Sequence, residues 1–396
     1  MLNAGLVMRQ RTSEFTRSKP GLPRKADPIA IATEVIAECD ATHPADAVLR
    51  GRLRRERGLE AAEARAVSQA VFRYFRWFGW LSPDRPLRQN VQYAQDVQRE
   101  FETRPQKFSD EELVAKALPA WLTSEVKVSP EWVRSLQTEP VLWLRVRRKL
   151  VERVISELQD CVPSPELPTA IEYQGEQDLF RSPLFHEGAF EVQDLSSQVV
   201  GHVCEPKAGE TWWDACAGEG GKLLHLSDLM ENKGLIWASD RAAWRLQTLK
   251  RRTARAGVFN YRAVPWTGTA KLPTKTKFDG VLVDAPCSGV GTWQRNPHAR
   301  WTTSQKDVTE LKQLQVDLLR NAAAAVKPGG RLIYSVCTLT RSETSDVITE
   351  FAAGSPGFRP LPLRHPMGGQ TASEIWIWPQ QFQSNGMFIA GWQRET

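Results

Sequence analysis

The stretch Thr211-Trp-Trp-Asp-Ala-Cys-Ala-Gly-Glu-Gly-Gly-Lys222, running on into Leu223 to Met230, decides the fold. An apolar run meets an acid, Gly218, Gly220 and Gly221 follow, and a helical segment starts at once. This is the first strand, tight turn and helix of an open parallel sheet, since glycines let a backbone turn sharply and approach a ligand at a strand's carboxyl end. The alternation repeats downstream. Strand-like runs Thr211 to Ala217, Leu235 to Ser239, Tyr261 to Val264, Phe278 to Asp284 and Arg331 to Cys337 are separated by helical segments. The clearest helix follows Ser304, an N-capping residue. Val308, Leu311, Leu314, Leu318, Ala322 and Ala325 recur along it every three or four residues until Lys327-Pro-Gly-Gly330 stops it. Phe358 to Leu363 and Met387 to Trp392 read as two more strands, close enough to pair antiparallel. The expectation is an α/β fold with a Rossmann-like, mostly parallel seven-stranded sheet whose last strand is antiparallel.

Composition agrees with folded domains. Of 396 residues, 41% are hydrophobic and 25% charged, which excludes disorder, collagen and disulfide-dense scaffolds. The cysteines, at positions 39, 161, 204, 216, 287 and 337, form no CxxC pair, so free thiols, a reducing (cytoplasmic) compartment and no metal site are expected. The net charge is +6, but residues 1–26 carry six bases against one acid, so the basic character is mostly a tail. Basic composition therefore does not by itself make the body a nucleic-acid binder. No run of 18 apolar residues suggests a membrane span, and the N-terminus lacks a secretory apolar stretch. Its Arg-rich, acid-poor makeup also suits a transit peptide; a basic arm is the plainer reading.

Residues 27–104 read as a small helical region. Asp27-Pro28 starts a helix carrying Ile29, Ala32 and Ile36, and Val67, Val71, Phe75 and Phe78 form a second, closed by Gly79. Arg50, Arg52, Arg54, Arg55 and Arg57 lie near its middle. Arg73, Tyr74, Arg76 and Trp77 interleave bases with aromatics, a pattern that suits stacking on single-stranded nucleic acid but is more often core on so apolar a helix. Pro83 to about Lys107 is polar and reads as a linker. Residues 105–190 suggest a small α/β subdomain with a strand at Val141 to Val146, ending in Arg145, Arg147, Arg148 and Lys149, a solvated face or a phosphate track. Residues 191–396 form the sheet-bearing domain.

Asp240, at the end of the second strand, is placed to accept hydrogen bonds from ribose hydroxyls. Turn and acid together fit either a nicotinamide cofactor or S-adenosylmethionine. The turn is not G-x-G-x-x-G, and Asp214 and Glu219 put negative charge where a pyrophosphate would be repelled and a sulfonium amino acid would not. The sharpest constellation lies elsewhere. Asp284-Ala-Pro-Cys-Ser-Gly289 ends the fourth strand and Tyr334-Ser-Val-Cys337 the fifth, so the topology brings Cys287 and Cys337 to one crevice. Buried cysteine is commonly just a small apolar residue, but two at one cleft mouth, one in a Pro-Cys-Ser-Gly turn, point to chemistry.

These motifs, with Cys216-Ala-Gly-Glu-Gly-Gly-Lys222, resemble those of the Nol/Nop/Sun-type RNA (cytosine-5) methyltransferases, including the bacterial small-subunit ribosomal RNA enzymes. The resemblance extends to Leu118-Pro-Ala-Trp-Leu122, Gln193-Asp194, Arg295-Asn-Pro297 with Trp301, and Gly386-Met-Phe-Ile-Ala390, covering Leu118 to Arg394; the helical region is more loosely similar to a NusB-like extension. It implies a class I S-adenosylmethionine-dependent methyltransferase core with N-terminal RNA-binding regions. It also implies a thiolate, Cys337, that adds to cytosine C6 so that the weakly nucleophilic C5 becomes enamine-like. Cys287 then assists elimination and Asp284 holds the base near N3. Ala217, Gly218, Gly220, Gly221, Lys222, Asp240 and Asp284 contact the methyl donor, and Lys222 is a candidate to favour the thiolate. Arg245 matches a recurrent family position, though it would serve equally to pair an acid.

The chain departs from the family in three places. Glu219 stands where the family more often has Pro, and Arg341-Ser-Glu-Thr-Ser345 replaces an acidic stretch with Asn. Trp266-Thr-Gly268 stands where an acid meets adenine, leaving Thr267 or Asp279 as substitutes. The expected partner is RNA, ribosomal rather than transfer RNA, acted on by a monomer. The rivals are a transfer RNA methyltransferase, an inactive RNA-binding or assembly protein, and a nucleotide-dependent dehydrogenase, which offers no reason for two strand-end thiols. A zinc cytidine deaminase needs P-C-x-x-C, which Pro286-Cys287 does not begin.

Overall fold

The computed structural model describes residues 27–56 and 58–396; the basic segment 1–26 and Arg57 lie outside the described residues. Asp27 caps the helix Pro28–Ala37 by accepting the Ile29 and Ala30 amides, each at 3.1 Å. Helices Ala45–Arg55, Ala61–Arg76 and Leu87–Thr103 follow. The last of these corrects the linker expected between Pro83 and Lys107. Its polar composition hides a stripe, Val91, Ala94, Val97 and Phe101, which recurs at helical spacing and is buried. The helices Asp110–Ala117 and Pro130–Ser135 pack on the same core, which spans Ile31 to Leu136 and also takes in Val290, Trp293 and Leu339. Tyr74, Arg76 and Trp77 are core residues. Arg76 is held by Glu139 at 3.1 Å and the Trp77 indole by Gln98 at 2.7 Å, which removes them as a stacking surface.

A four-stranded antiparallel sheet comes next: β1 (Leu142–Val146), β2 (Cys161–Pro163), β3 (Ala170–Tyr173) and β4 (Phe190–Val192), in the order β2-β3-β1-β4. Arg145 is buried on β1 and bonds Gln193 at 2.9 Å and Asp228 at 3.1 Å. It ties the small sheet to its neighbour and tracks no phosphate.

The large sheet contains β5 (Thr211–Asp214), β6 (Leu235–Ala238), β7 (Tyr261–Ala263), β8 (Phe278–Asp284), β9 (Val326–Val336), β10 (Phe358–Pro360), β11 (Glu374–Ile377) and β12 (Met387–Arg394). Its order is β10-β12-β9-β8-β5-β6-β7, with β11 also pairing β12. Strands β5 to β9 are parallel, and β12 is antiparallel to each of β9, β10 and β11, so β12 alone runs against the rest. The sheet thus has eight strands rather than seven. β11 is only four residues long, set between Gly368-Gly369 and Pro379, and so short a run reads as part of the loop between β10 and β12.

Ser304 caps the long helix Gln305–Ala323. Lys327-Pro-Gly-Gly330 does not lie at a helix end, however; it sits inside β9, which opens at Val326 opposite Phe278, and the register shifts before Gly280 meets Arg331. Gly329, with φ +73°, absorbs that bulge. Because β5, β6, β8 and β9 are parallel, Asp214, Asp240, Asp284 and Cys337 emerge at one edge of the sheet.

Candidate active site

The cradle is built from backbone. Gly220, at φ +89°, precedes the helix Gly221–Leu229 without a side-chain cap, and a Cβ there would come within 2.8 Å of Leu249. Only glycine fits that turn. A Cβ on Gly218 would meet nothing within 4 Å, and one on Gly221 nothing closer than Gln193 at 4.0 Å, so open space lies over both. Asp240 closes one side. Its carboxylate accepts the Gly218 amide at 3.1 Å and the Ala242 amide at 2.7 Å, with Arg245 at 3.8 Å, while the Ala217 amide donates to the Ser239 carbonyl at 2.8 Å.

Asp214 is fully buried, and neither of its carboxyl oxygens has a hydrogen-bond partner. Burial, reinforced by Asp284, pushes its pKa up to about 8. An orphaned acid beside a roomy glycine cradle fits a ligand that brings its own ammonium and hydroxyl donors.

Thr267 is exposed on the loop after β7, beside Trp266, whose amide donates to the Asp240 carbonyl at 3.3 Å. Asp279 is ruled out as an adenine partner. It lies at the start of β8, paired with Lys327 at 2.7 Å and with the Thr211 amide at 2.8 Å, on the opposite edge of the sheet from the cradle.

The two thiols meet. Cys287 Sγ and Cys337 Sγ are 3.4 Å apart and both residues are half-buried. Beside them Lys222 Nζ lies 2.6 Å from Asp284 Oδ2, and the Ser335 hydroxyl donates to Asp284 Oδ1 at 2.8 Å. Burial works against the charge on Lys222, but Asp284 outweighs it, aided by Cys337 and Asp214, and the ammonium is held. The hydrogen bond from Cys287, with help from Lys222, lowers the pKa of Cys337, while that same bond and burial raise the pKa of Cys287. Two sulfurs this close do not ionise together, and the opposite directions of the two shifts favour the thiolate on Cys337.

Sequence reasoning missed the residue that fixes this pair. Glu343 is buried and accepts the Ser288 amide at 2.8 Å, Gln315 at 3.0 Å, Thr340 at 2.8 Å, Thr338 at 3.2 Å and the Ser288 hydroxyl. It therefore ties the loop after Cys287 to the loop after Cys337 with neutral donors alone. The signal was present as an acid six residues beyond Cys337 among hydroxyl residues, inside the stretch read only as a departure. The Gly291 amide donates to the Cys337 carbonyl at 3.1 Å and the Gly386 amide to the Gly291 carbonyl at 2.7 Å, which adds the turn before β12. From the helical unit, Glu125 accepts the amide and hydroxyl of Ser342 at 3.1 and 3.0 Å.

Residues 202–393 match the model of a family described as 16S rRNA methyltransferase RsmB/F. That region, just under half of the chain, is similar to the RsmB/F family. Among its relatives, the probable ribosomal RNA small subunit methyltransferase B of Synechocystis sp. is 37% identical over 217 residues, 52% of this chain and 48% of that protein. The chain spans about half the length of the first curated relatives it matches. The crystal structure of PH0851 superposes with a TM-score of 0.78 at 28% identity, covering 95% of this chain and all of that one. A methyltransferase homolog protein from Pyrococcus horikoshii superposes with a TM-score of 0.59 at 26% identity over 67% of this chain and 90% of that chain. This region has the Rossmann-like methyltransferase fold, and the likeness to PH0851 takes in the helical unit and the small sheet as well.

Proposed function

We propose that the chain methylates C5 of a cytosine in RNA, in small-subunit ribosomal RNA on the strength of its RsmB/F relatives, through a covalent bond between Cys337 and C6. The observation that carries this is the Cys337–Cys287 pair at 3.4 Å with the Lys222–Asp284 pair beside it, all at the edge of the sheet that holds the cradle. The donor is S-adenosylmethionine, which when bound supplies an electrophilic methyl group. Gly218, Gly220 and Gly221 would carry its amino-acid end and Asp240 its ribose, and the unpartnered Asp214 and the open volume over Gly218 fit such a group.

The chain's own part follows from its charges. Cys337 as thiolate adds to C6, the pair displaced from the C5–C6 bond moves toward N3, and Asp284, steadied by Ser335, holds the ring there while a proton passes to N3 from the Lys222 ammonium by way of the Asp284 carboxylate it is bonded to. C5 thereby becomes nucleophilic enough to accept a methyl group. Once Cys337 is bonded to C6 and no longer carries charge, Cys287 can release its own proton to solvent and as thiolate take the C5 proton, so that the C5–C6 double bond re-forms and Cys337 leaves as thiolate, 3.4 Å away. The reacting base must leave any stack to meet sulfur from its face, so the RNA presents an unpaired or flipped cytosine.

Transfer of labelled methyl groups to 16S ribosomal RNA tests the reading. Cys337→Ala is expected to abolish transfer, whereas Cys287→Ala is expected to accumulate a protein–RNA adduct that survives denaturation. Equal residual turnover in both variants overturns the assignment of roles, and bisulfite mapping in cells with and without the gene locates the cytosine.

A further inference from the structure

A cavity of about 400 Å³ opens beside the nucleophile loop, where the helical unit meets the large sheet. Its walls include Lys127, Leu339, Arg341, Trp376 and Trp378, with Glu125 behind them. Leu339 is two residues beyond Cys337, at most about 7 Å along the chain, so the cavity borders the loop that carries the nucleophile. The aromatic wall comes from β11. Its period of two turns Ile375 and Ile377 into one core and puts Trp376 and Trp378 together on the other face, partly buried against the core of the helical unit with their remaining surface on the cavity. Their rings are nearly parallel, 17° apart with centroids 6.5 Å apart, and each is braced from behind, Trp376 by Phe388 at 4.6 Å and Trp378 by Trp132 at 5.7 Å. The part of these braced indoles that lines the cavity offers a base an aromatic surface to stack on.

The charges match a nucleotide. Lys127 and Arg341 are exposed, and neither belongs to an ion pair among the described residues. Glu125, the acid in the wall, is buried and turned to the Ser342 amide and hydroxyl, so it serves the loop and leaves the two cations uncompensated. The volume falls within the range of small-ligand sites, roughly 300–1,000 Å³.

We propose that this cavity binds the nucleotide adjoining the target cytosine in a single-stranded RNA segment, its base stacked on Trp376 and Trp378 and its phosphates met by Lys127 and Arg341. The assignment rests on the reading of the chain as an RNA methyltransferase and adds a second base site to it. It gives β11 a role, and it explains why the helical unit is bonded to the nucleophile loop: Lys127 comes from one and Arg341 from the other.

The test uses the full chain, a short single-stranded oligoribonucleotide containing one cytosine, and 16S ribosomal RNA as methyl acceptor. In the Lys127→Ala/Arg341→Ala variant the oligonucleotide Kd is expected to rise about tenfold. The slope of log affinity against log salt is expected to flatten by about 1.4, two phosphate contacts at roughly 0.7 each on a single strand. KM for methyl transfer should rise with Kd while kcat stays within about twofold. Trp378→Ala is expected to weaken binding by about 5- to 100-fold and Trp378→Phe to restore most of it. A 4-thiouridine next to the cytosine should crosslink to the peptide holding residues 376–378. An unchanged salt slope and Kd in the double variant overturn the site, as does a fall in kcat at unchanged KM, or tighter binding of an acidic peptide than of the oligonucleotide. Wild-type protein that binds the oligonucleotide through these residues but methylates no RNA would sink the proposed reaction and leave the cavity's assignment standing.

Discussion

The cradle and the cysteine crevice occupy the same edge of the same sheet, yet they are built in opposite ways. The cradle is backbone from one short stretch, with open space over Gly218 and Gly221 and an acid, Asp214, whose oxygens are unpartnered. The crevice is assembled from side chains far apart in sequence, and Lys222, Ser335, Gln315 and Glu343 leave its donors and acceptors satisfied within the protein. The difference follows from the two tasks. A binding surface needs shape and free hydrogen-bonding capacity, whereas covalent chemistry needs two sulfurs and a carboxylate held within a fraction of an ångström.

The contrast breaks or sharpens first on the nucleophile. Cys337→Ala is expected to lower single-turnover methyl transfer by at least about 10⁴-fold with little change in donor affinity, since activation of C5 depends on that sulfur. A residual rate within about tenfold of wild type would mean that the crevice is not covalent. Next comes its support. Glu343→Gln should fold but lower kcat by roughly 10²-fold, because an amide keeps one acceptor oxygen of two, and with it in the Oε2 place the NH2 group faces the Ser288 amide and Gln315 donors. Glu343→Ala should destabilise the domain by about 1–3 kcal/mol in chemical denaturation, through donors left buried and unpaired.

The charge pattern predicts a pH profile. With Cys337 lowered by the Cys287 hydrogen bond and by Lys222, kcat/KM should rise with pH through a midpoint below the ordinary thiol value, and Lys222→Met should move that limb upward. A limb that stays in place would separate Lys222 from the thiolate.

The cradle should respond more mildly. Asp214, raised to about 8 from an ordinary carboxyl value of 3.8, stays protonated in the folded state while the unfolded chain ionises. Its contribution to stability is therefore greatest at low pH and is lost as pH climbs from about 4 toward 8. Asp214→Asn should flatten that decline in thermal melts. Gly218→Ala, at φ +54° but with no steric neighbour, should cost about 1 kcal/mol and weaken S-adenosylmethionine binding several-fold by calorimetry.

Local signals made much of this legible. Glycines before a helix, the acid ending β6 and the strand-end cysteines each announce themselves within a few residues, and parallel topology does the rest. The helix Leu87–Thr103 did not, because its charged and amide residues outnumber a buried stripe of only four apolar positions. β11 and the Lys327–Gly330 bulge were missed because a four-residue strand and a Pro-Gly-Gly inside a strand both look like loop until a neighbour supplies the hydrogen bonds.

By itself the chain's order of residues determined which groups reach the working edge: parallel strands deliver Asp240, Asp284, Cys287 and Cys337 there through period and connection alone. Only tertiary packing decided what those groups do. The 3.4 Å between sulfurs, the neutral cage around Glu343 and the bond from Glu125 to the loop after Cys337 all depend on contacts between segments tens to hundreds of residues apart. Such contacts leave no periodicity in the sequence, because they are set by where whole elements pack and not by the conformation of any one of them.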